Sequence, residues 1–118
     1  MIDEKQIYEL IVNGNGFELL TPRQVEKYRL ELTAAYGLFS DELALIESTL
    51  ADDCLALMKI LKQGGKSSWK EVEMNYDHTS NGKRRIILKA KLKAIEKLIG
   101  ALRDRLRRLD DESRFNAT

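Results

Sequence analysis

The chain has 118 residues and a net charge of +1, and its 43% of hydrophobic residues can form the core of one small domain. A single proline, 7% aromatic residues and 33% charged residues favour helices with wide solvated faces over a β-sandwich. A single cysteine excludes an internal disulfide framework. One cysteine and one histidine are together too few ligands for an ordinary zinc site, so we expect no metal and no cofactor.

The first predicted element is a short helix over residues 3–12. Asp3 and Gln6 have the spacing of a capping box, in which each side chain pairs with the backbone amide of the other residue. The run Asn13-Gly14-Asn15-Gly16 then ends the helix. This run lacks the Lys-Ser/Thr ending and the preceding strand of a phosphate-binding loop, so it predicts a turn.

A long helix, the first arm, is predicted over residues 22–62. Thr21 and Gln24 form a second capping box at its start. Apolar residues then recur every three or four positions, which is a helical spacing and not that of a strand. Because the spacing continues through Gly37, we predict one continuous helix that ends at Gly64-Gly65.

The second arm is predicted over residues 68–112. Ser68 and Glu71 give a third capping box at its start. The run Thr79-Ser80-Asn81-Gly82 forms helix poorly, so we expect a kink, a fray or a short loop at 79–82. Beyond it, apolar spacings of four and three alternate over three heptads, which is typical of a coiled-coil seam. The seam consists of Leu88, Leu92, Ile95, Ile99, Leu102, Leu106 and Leu109.

Two long helices joined at a glycine pair predict an all-α fold. We expect an antiparallel helical hairpin or coiled coil, with the short N-terminal helix across one end, in a single domain over residues 1–118. The apolar arc of the second arm is wider than one partner helix covers, so the N-terminal helix or another subunit must fill the rest. Because a hairpin of this size has little core of its own, we expect a homo-oligomer. The arc is widened by Ala90, Ala94, Leu98 and Ala101, and the predicted interface residues are Leu88, Leu92, Ile95, Leu98, Ile99, Leu102 and Leu106.

The charges of the chain are separated along its length. Residues 1–60 contain 5 basic and 11 acidic side chains, whereas residues 61–118 contain 15 basic and 8 acidic ones. Within 83–108 there are 11 basic residues against Glu96 and Asp104. A helical wheel places most of these cations away from the leucine seam, where they would stay in water and hold nucleic-acid phosphates. The predicted nucleic-acid-binding residues are Lys83, Arg84, Arg85, Lys89, Lys93, Lys97, Arg103 and Arg107.

Three other roles for the basic arm remain open. The cations could dock on an acidic protein surface, as in an inhibitor or an assembly adaptor. They could fix the orientation of the two arms by facing acidic residues of the first arm. They could also serve solubility alone.

The sequence does not indicate an enzyme. Cys54 lies in an apolar stretch between Leu50 and Leu57, where a small buried hydrophobic residue is expected. His78 has no cysteine or second histidine nearby, so we expect a surface or capping role for it. No nucleophile has a base beside it. No signal sequence or membrane-spanning run is present, so we expect a cytoplasmic protein without membrane contact.

The stretch from Glu71 to Arg108 resembles small helical proteins of tailed phages. It contains an acidic and aromatic turn, a polar break that ends in Gly82-Lys83, and a lysine-rich amphipathic helix from Leu88. Some such proteins are phage recombination mediators. The resemblance implies a helical hairpin that oligomerises through its apolar seam and binds single-stranded DNA, with Lys83, Arg84, Arg85, Lys89, Lys93 and Lys97 touching the DNA.

Overall fold

A computed structural model of the chain describes residues 20–63, 65 and 68–116, together with Lys5, Gln6 and Glu9. From residue 20 onward, the described residues form the helices α1 (Pro22–Gln63), α2 (Trp69–Asp77) and α3 (Ser80–Asn116), with no strand among them. The all-α prediction is confirmed, and α1 and α3 pack as a hairpin. Lys5, Gln6 and Glu9 are helical, but the remainder of the predicted helix 3–12 and its stop at 13–16 lie outside the described residues.

Helix α1 begins at the predicted capping box. The backbone amide of Gln24 donates to Thr21 Oγ1 at 3.3 Å, and the amide of Thr21 donates to Gln24 Oε1 at 3.0 Å. Two of the amides that a helix start leaves unpaired are thereby satisfied. The helix continues without a break through Gly37 and ends one residue after the predicted position. Beyond it, Gly65 has a φ of 133°, a conformation that favours glycine after a helix end.

The second arm is divided into α2 and α3 by His78 and Thr79. The Oγ of Ser68 accepts from the Glu71 amide at 3.3 Å at the start of α2, as the sequence predicts. His78 closes α2, where its amide donates to the carbonyl of Asn75 at 3.2 Å. It therefore has the capping role expected for it.

The expected break at 79–82 is narrower than predicted, because residues 80–82 are helical. Thr79 caps α3, since its Oγ1 accepts from the Gly82 amide at 3.0 Å and its carbonyl accepts from the Lys83 amide at 2.9 Å. The same hydroxyl donates to the Tyr76 carbonyl at 2.6 Å. One threonine side chain thus joins the end of α2 to the start of α3.

The helices contribute to two compact units. The first unit combines the described residues up to Leu38 with those from Leu92 onward. Its α1 and α3 segments lie side by side, as the hydrogen bond from Tyr36 Oη to Glu96 Oε1 at 2.8 Å shows. This hydrogen bond raises the pKa of Tyr36. The buried apolar residues of this unit are Val25, Leu32 and Ala35 from α1 and Ile95, Leu98 and Leu102 from α3.

The second unit is Phe39–Lys91 and contains parts of all three helices. Its core combines Cys54 of α1 with Val72 and Tyr76 of α2. Four partly buried residues of α1 pack against these three, namely Leu50, Leu57, Met58 and Leu61. The α1 and α3 segments are antiparallel here, since Phe39 contacts Lys91 whereas the later Glu47 contacts the earlier Arg85.

The predicted leucine seam is part of this intramolecular packing. Leu88 in the second unit and Ile95 and Leu102 in the first are fully buried, and Leu98 is nearly so. The other predicted interface residues, Leu92, Ile99 and Leu106, are half-buried. The seam therefore pairs the arms as predicted, but its most buried members are not available as a surface for a second chain.

Candidate functional site

Three of the predicted phosphate-binding cations already have carboxylate partners within the second unit. Arg84 pairs with Glu42 through two contacts, one of them from Nη2 to Oε1 at 3.0 Å. Glu47 lies 3.4 Å from Arg85 Nε and 3.9 Å from Lys89 Nζ. The Arg85 contact is an ion pair without hydrogen-bond geometry, since Nε is buried and has no hydrogen-bond acceptor. The expectation that this part of the basic helix stays bare is therefore wrong for these three residues.

The reason lies in their position around α3. Arg84 precedes the buried Leu88 by four residues and Arg85 precedes it by three, so both lie near the packed side of the helix. Acidic residues of α1 then meet them across the antiparallel pair. This is the orienting role that the sequence left open for the basic arm.

The remaining predicted cations are exposed. In the first unit, Lys93, Lys97, Arg103 and Arg107 lie on α3 with Arg108, and no described carboxylate is within ion-pair distance of any of them. We call these five residues the cationic face. Lys83, in the second unit, is likewise exposed and without an ion pair to a described residue.

The cationic face covers one side of the helix. At about 100° per residue, Lys97, Arg107 and Arg108 all lie within about 60° of the direction of Lys93, and Arg103 lies about 80° from it. From Lys93 to Arg107 the face extends about 21 Å along the axis. Glu96 and Asp104 are exposed on the same side, so the face carries a net charge of +3 from five cations and two carboxylates. Arg108 belongs to it although it was not among the predicted residues, and its wheel position would have identified it.

A separate groove lies in the second unit, between α1, α2 and the start of α3. It encloses a volume of about 630 Å³. Its charged lining residues are Glu47 and Arg85, which pair with each other, and Glu73 and Asp77 of α2. We call it the apolar groove, because most of its lining is hydrophobic: Leu50, Ala51, Cys54, Leu55, Trp69 and Tyr76.

Cys54 supplies a thiol to the lining of the groove. Burial raises the pKa of the Cys54 thiol, and the carboxylate of Asp53 raises it further, so the sulfur stays protonated and is a poor nucleophile. Cys54 is 4% exposed and packs in the core, as the sequence predicts. No cluster of three metal-binding side chains occurs among the described residues.

The two aromatic residues of α2 differ in exposure. Tyr76 is buried in the core of the second unit. Trp69 lines the apolar groove and remains half exposed. Burial raises the pKa of Tyr76, and its hydroxyl has no hydrogen-bond partner among the described residues.

We expect Tyr76→Phe to leave stability unchanged or to raise it by about 1 kcal/mol, because it removes a buried hydroxyl whose desolvation no hydrogen bond offsets. Urea unfolding followed by circular dichroism would measure the change. Tyr36→Phe is the matched control and should not stabilise, since the Tyr36 hydroxyl donates to Glu96. A loss of more than about 1 kcal/mol in Tyr76→Phe would mean that the hydroxyl has a partner.

None of the described helices has a stretch that is both long enough and apolar enough to cross a membrane. Comparison of the chain with protein-family models, with curated proteins and with solved structures finds no match. The chemistry of the cationic face and of the apolar groove is therefore what points to function.

Proposed function

We propose that this chain is a non-catalytic accessory protein that binds nucleic acid, and single-stranded DNA in particular, through the cationic face. The observation that supports this most directly is the exposure of five cations on one side of α3 without carboxylate partners among the described residues. Such an array attracts a phosphate backbone and releases the counterions condensed on it. Arg84, Arg85 and Lys89 orient the fold instead and are left out of this site.

Binding by this face would be independent of base sequence. Lysine and arginine contacts to phosphates fix position and register but carry no information about the bases. The cationic face lies on a regular helix, so its charges are held in place without an ordering cost for the backbone. A role as a recombination or replication mediator of a tailed phage fits such binding, and it rests on the resemblance of the stretch from Glu71 to Arg108.

The test is a salt titration of binding to a labelled single-stranded oligonucleotide. From about 50 to about 200 mM salt, the logarithm of the binding constant should fall steeply with the logarithm of salt concentration. Replacing Lys93, Lys97 and Arg107 by Gln should reduce that slope by about 2, since each lost contact to a single strand removes about 0.7. Binding at low salt should weaken in the same variant by at least about tenfold.

The matched control replaces three exposed lysines outside the face by Gln: Lys59, Lys62 and Lys70. It should keep the slope of the unmodified chain. Absent binding at low salt, or binding that salt does not weaken, would contradict the proposal. In that case the alternative is a protein-interaction module, a phage inhibitor or assembly adaptor whose cations dock on an acidic protein surface.

A further inference from the structure

The second unit carries an apolar patch on the outer side of α3. Lys83, Ile86, Ile87 and Ala90 have the spacing i, i+3, i+4 and i+7, which places them on one face of the helix. All four are exposed, with Ile86 at 51% and Ile87 at 45% of their full accessible surface. We call these four residues the α3 patch. Two adjacent half-exposed isoleucines with a lysine at one end form the kind of surface that docks into a groove.

The apolar groove of the same unit is complementary to this patch. Most of its lining is hydrophobic, and two of the apolar lining residues, Trp69 and Leu55, are half exposed. The carboxylates of Glu73 and Asp77 line it, and no described cation lies within ion-pair distance of either. The groove therefore suits an apolar helix face that also carries a positive charge.

We propose that the apolar groove of one molecule takes the α3 patch of a second copy, with Lys83 of the second copy against Glu73 and Asp77 of the first. The charges favour a second copy as the occupant: the groove has two carboxylates that no described cation pairs with, and the patch has a lysine without an ion pair to a described residue. Helix-in-groove recognition uses the same i, i+3, i+4 and i+7 spacing that the patch presents.

The α3 patch cannot bind in the apolar groove of its own molecule. Arg85 lines the groove, so that side of α3 faces it, whereas the centre of the α3 patch lies about 150° around the helix. Groove and patch are therefore different surfaces on different sides of one unit, and each copy offers one of each. Such a head-to-tail contact produces a ring if it closes and a filament if it does not.

This inference goes beyond nucleic-acid binding and does not depend on it, since the cationic face takes no part. It is tested on nuclease-treated protein without nucleic acid, by sedimentation velocity over a range of concentrations. The unmodified chain should form species larger than a dimer as concentration rises. A groove variant, Glu73→Lys with Asp77→Lys, and a patch variant, Ile86→Glu with Ile87→Glu, should each stay monomeric.

Mixing the two variants gives the sharpest outcome. The groove variant still has an intact α3 patch, and the patch variant still has an intact groove, so a mixture should form a heterodimer and nothing larger. Contact through the α3 patches alone would leave the groove variant able to assemble, and would overturn the proposal. A mixture that stays monomeric, or an unmodified chain that is monomeric at every concentration, would overturn it too.

Two controls keep the result interpretable. Asp111→Lys with Glu112→Lys reverses two exposed carboxylates near the end of α3, outside the groove, and should assemble like the unmodified chain. Circular dichroism checks that each variant keeps its helix content. Should the double groove variant fail to fold, Glu73→Lys alone, at an exposed position, serves in its place and should reduce the association constant by at least about tenfold.

Discussion

Gly82→Ala is expected to lower the free energy of unfolding by about 3 kcal/mol, because there is no room for a methyl group at the α2–α3 junction. A Cβ atom at this position would lie 1.9 Å from the carbonyl oxygen of Tyr76 and 2.7 Å from the Cα of Asp77. Both neighbours belong to the backbone, so neither can rotate away as a side chain would. The start of α3 would have to move away from α2, and the capping contacts of Thr79 would be disturbed.

Urea unfolding followed by circular dichroism would measure this loss. Gly37→Ala and Gly100→Ala are matched controls, since both glycines are helical and an added Cβ would meet nothing within 4 Å. Each control should gain up to about 1 kcal/mol, because alanine favours a helix interior over glycine. If Gly82→Ala proved as stable as these controls, the close approach of the two helices would be wrong.

Leu32→Ala is expected to cost about 2–5 kcal/mol, through lost apolar burial and the cavity left behind. Leu32 is fully buried in the first unit, where α1 and α3 segments lie side by side. Leu30, two residues earlier in the same helix, is 61% exposed. The same substitution at Leu30 should therefore change stability by less than about 0.5 kcal/mol.

Urea unfolding compares the Leu32→Ala and Leu30→Ala variants. If the two variants have the same dependence of unfolding free energy on urea concentration, the difference between their midpoints reports stability alone. Both substitutions replace leucine by alanine in the interior of α1, so helix propensity contributes equally to each. The difference between the two variants is then the contribution of burial. Equal losses would show that the face of α1 assigned to the core is wrong.

Much of the fold follows from local signals in the sequence. The Thr21 and Gln24 box sets the start of α1, and the Ser68 cap sets the start of α2, because both depend on residues only three positions apart. The position of the break in the second arm was less well predicted. Thr79 forms a cap that keeps residues 80–82 helical, and the poor helix propensity of that run does not override it.

The candidate site was only partly predictable. Exposure of Lys93 and Lys97 follows from their position opposite the seam. The carboxylate partners of Arg84 and Arg85 could not be predicted from the sequence. Glu42 and Glu47 lie about forty residues away and meet these arginines only in one register of the antiparallel pair. The apolar groove also escapes sequence reasoning, since its lining comes from three helices whose packing no spacing in one helix specifies.

The contact between Gly82 and the Tyr76 carbonyl also bears on how the sequence can diverge. Any side chain at position 82 would push the two helices apart, whereas positions 37 and 100 have room for substitution. Related proteins should therefore vary freely at positions 37 and 100. They should retain glycine at position 82, three residues after a residue with a side-chain hydroxyl. That short spacing is the signature by which a distant homologue of this chain could be recognised.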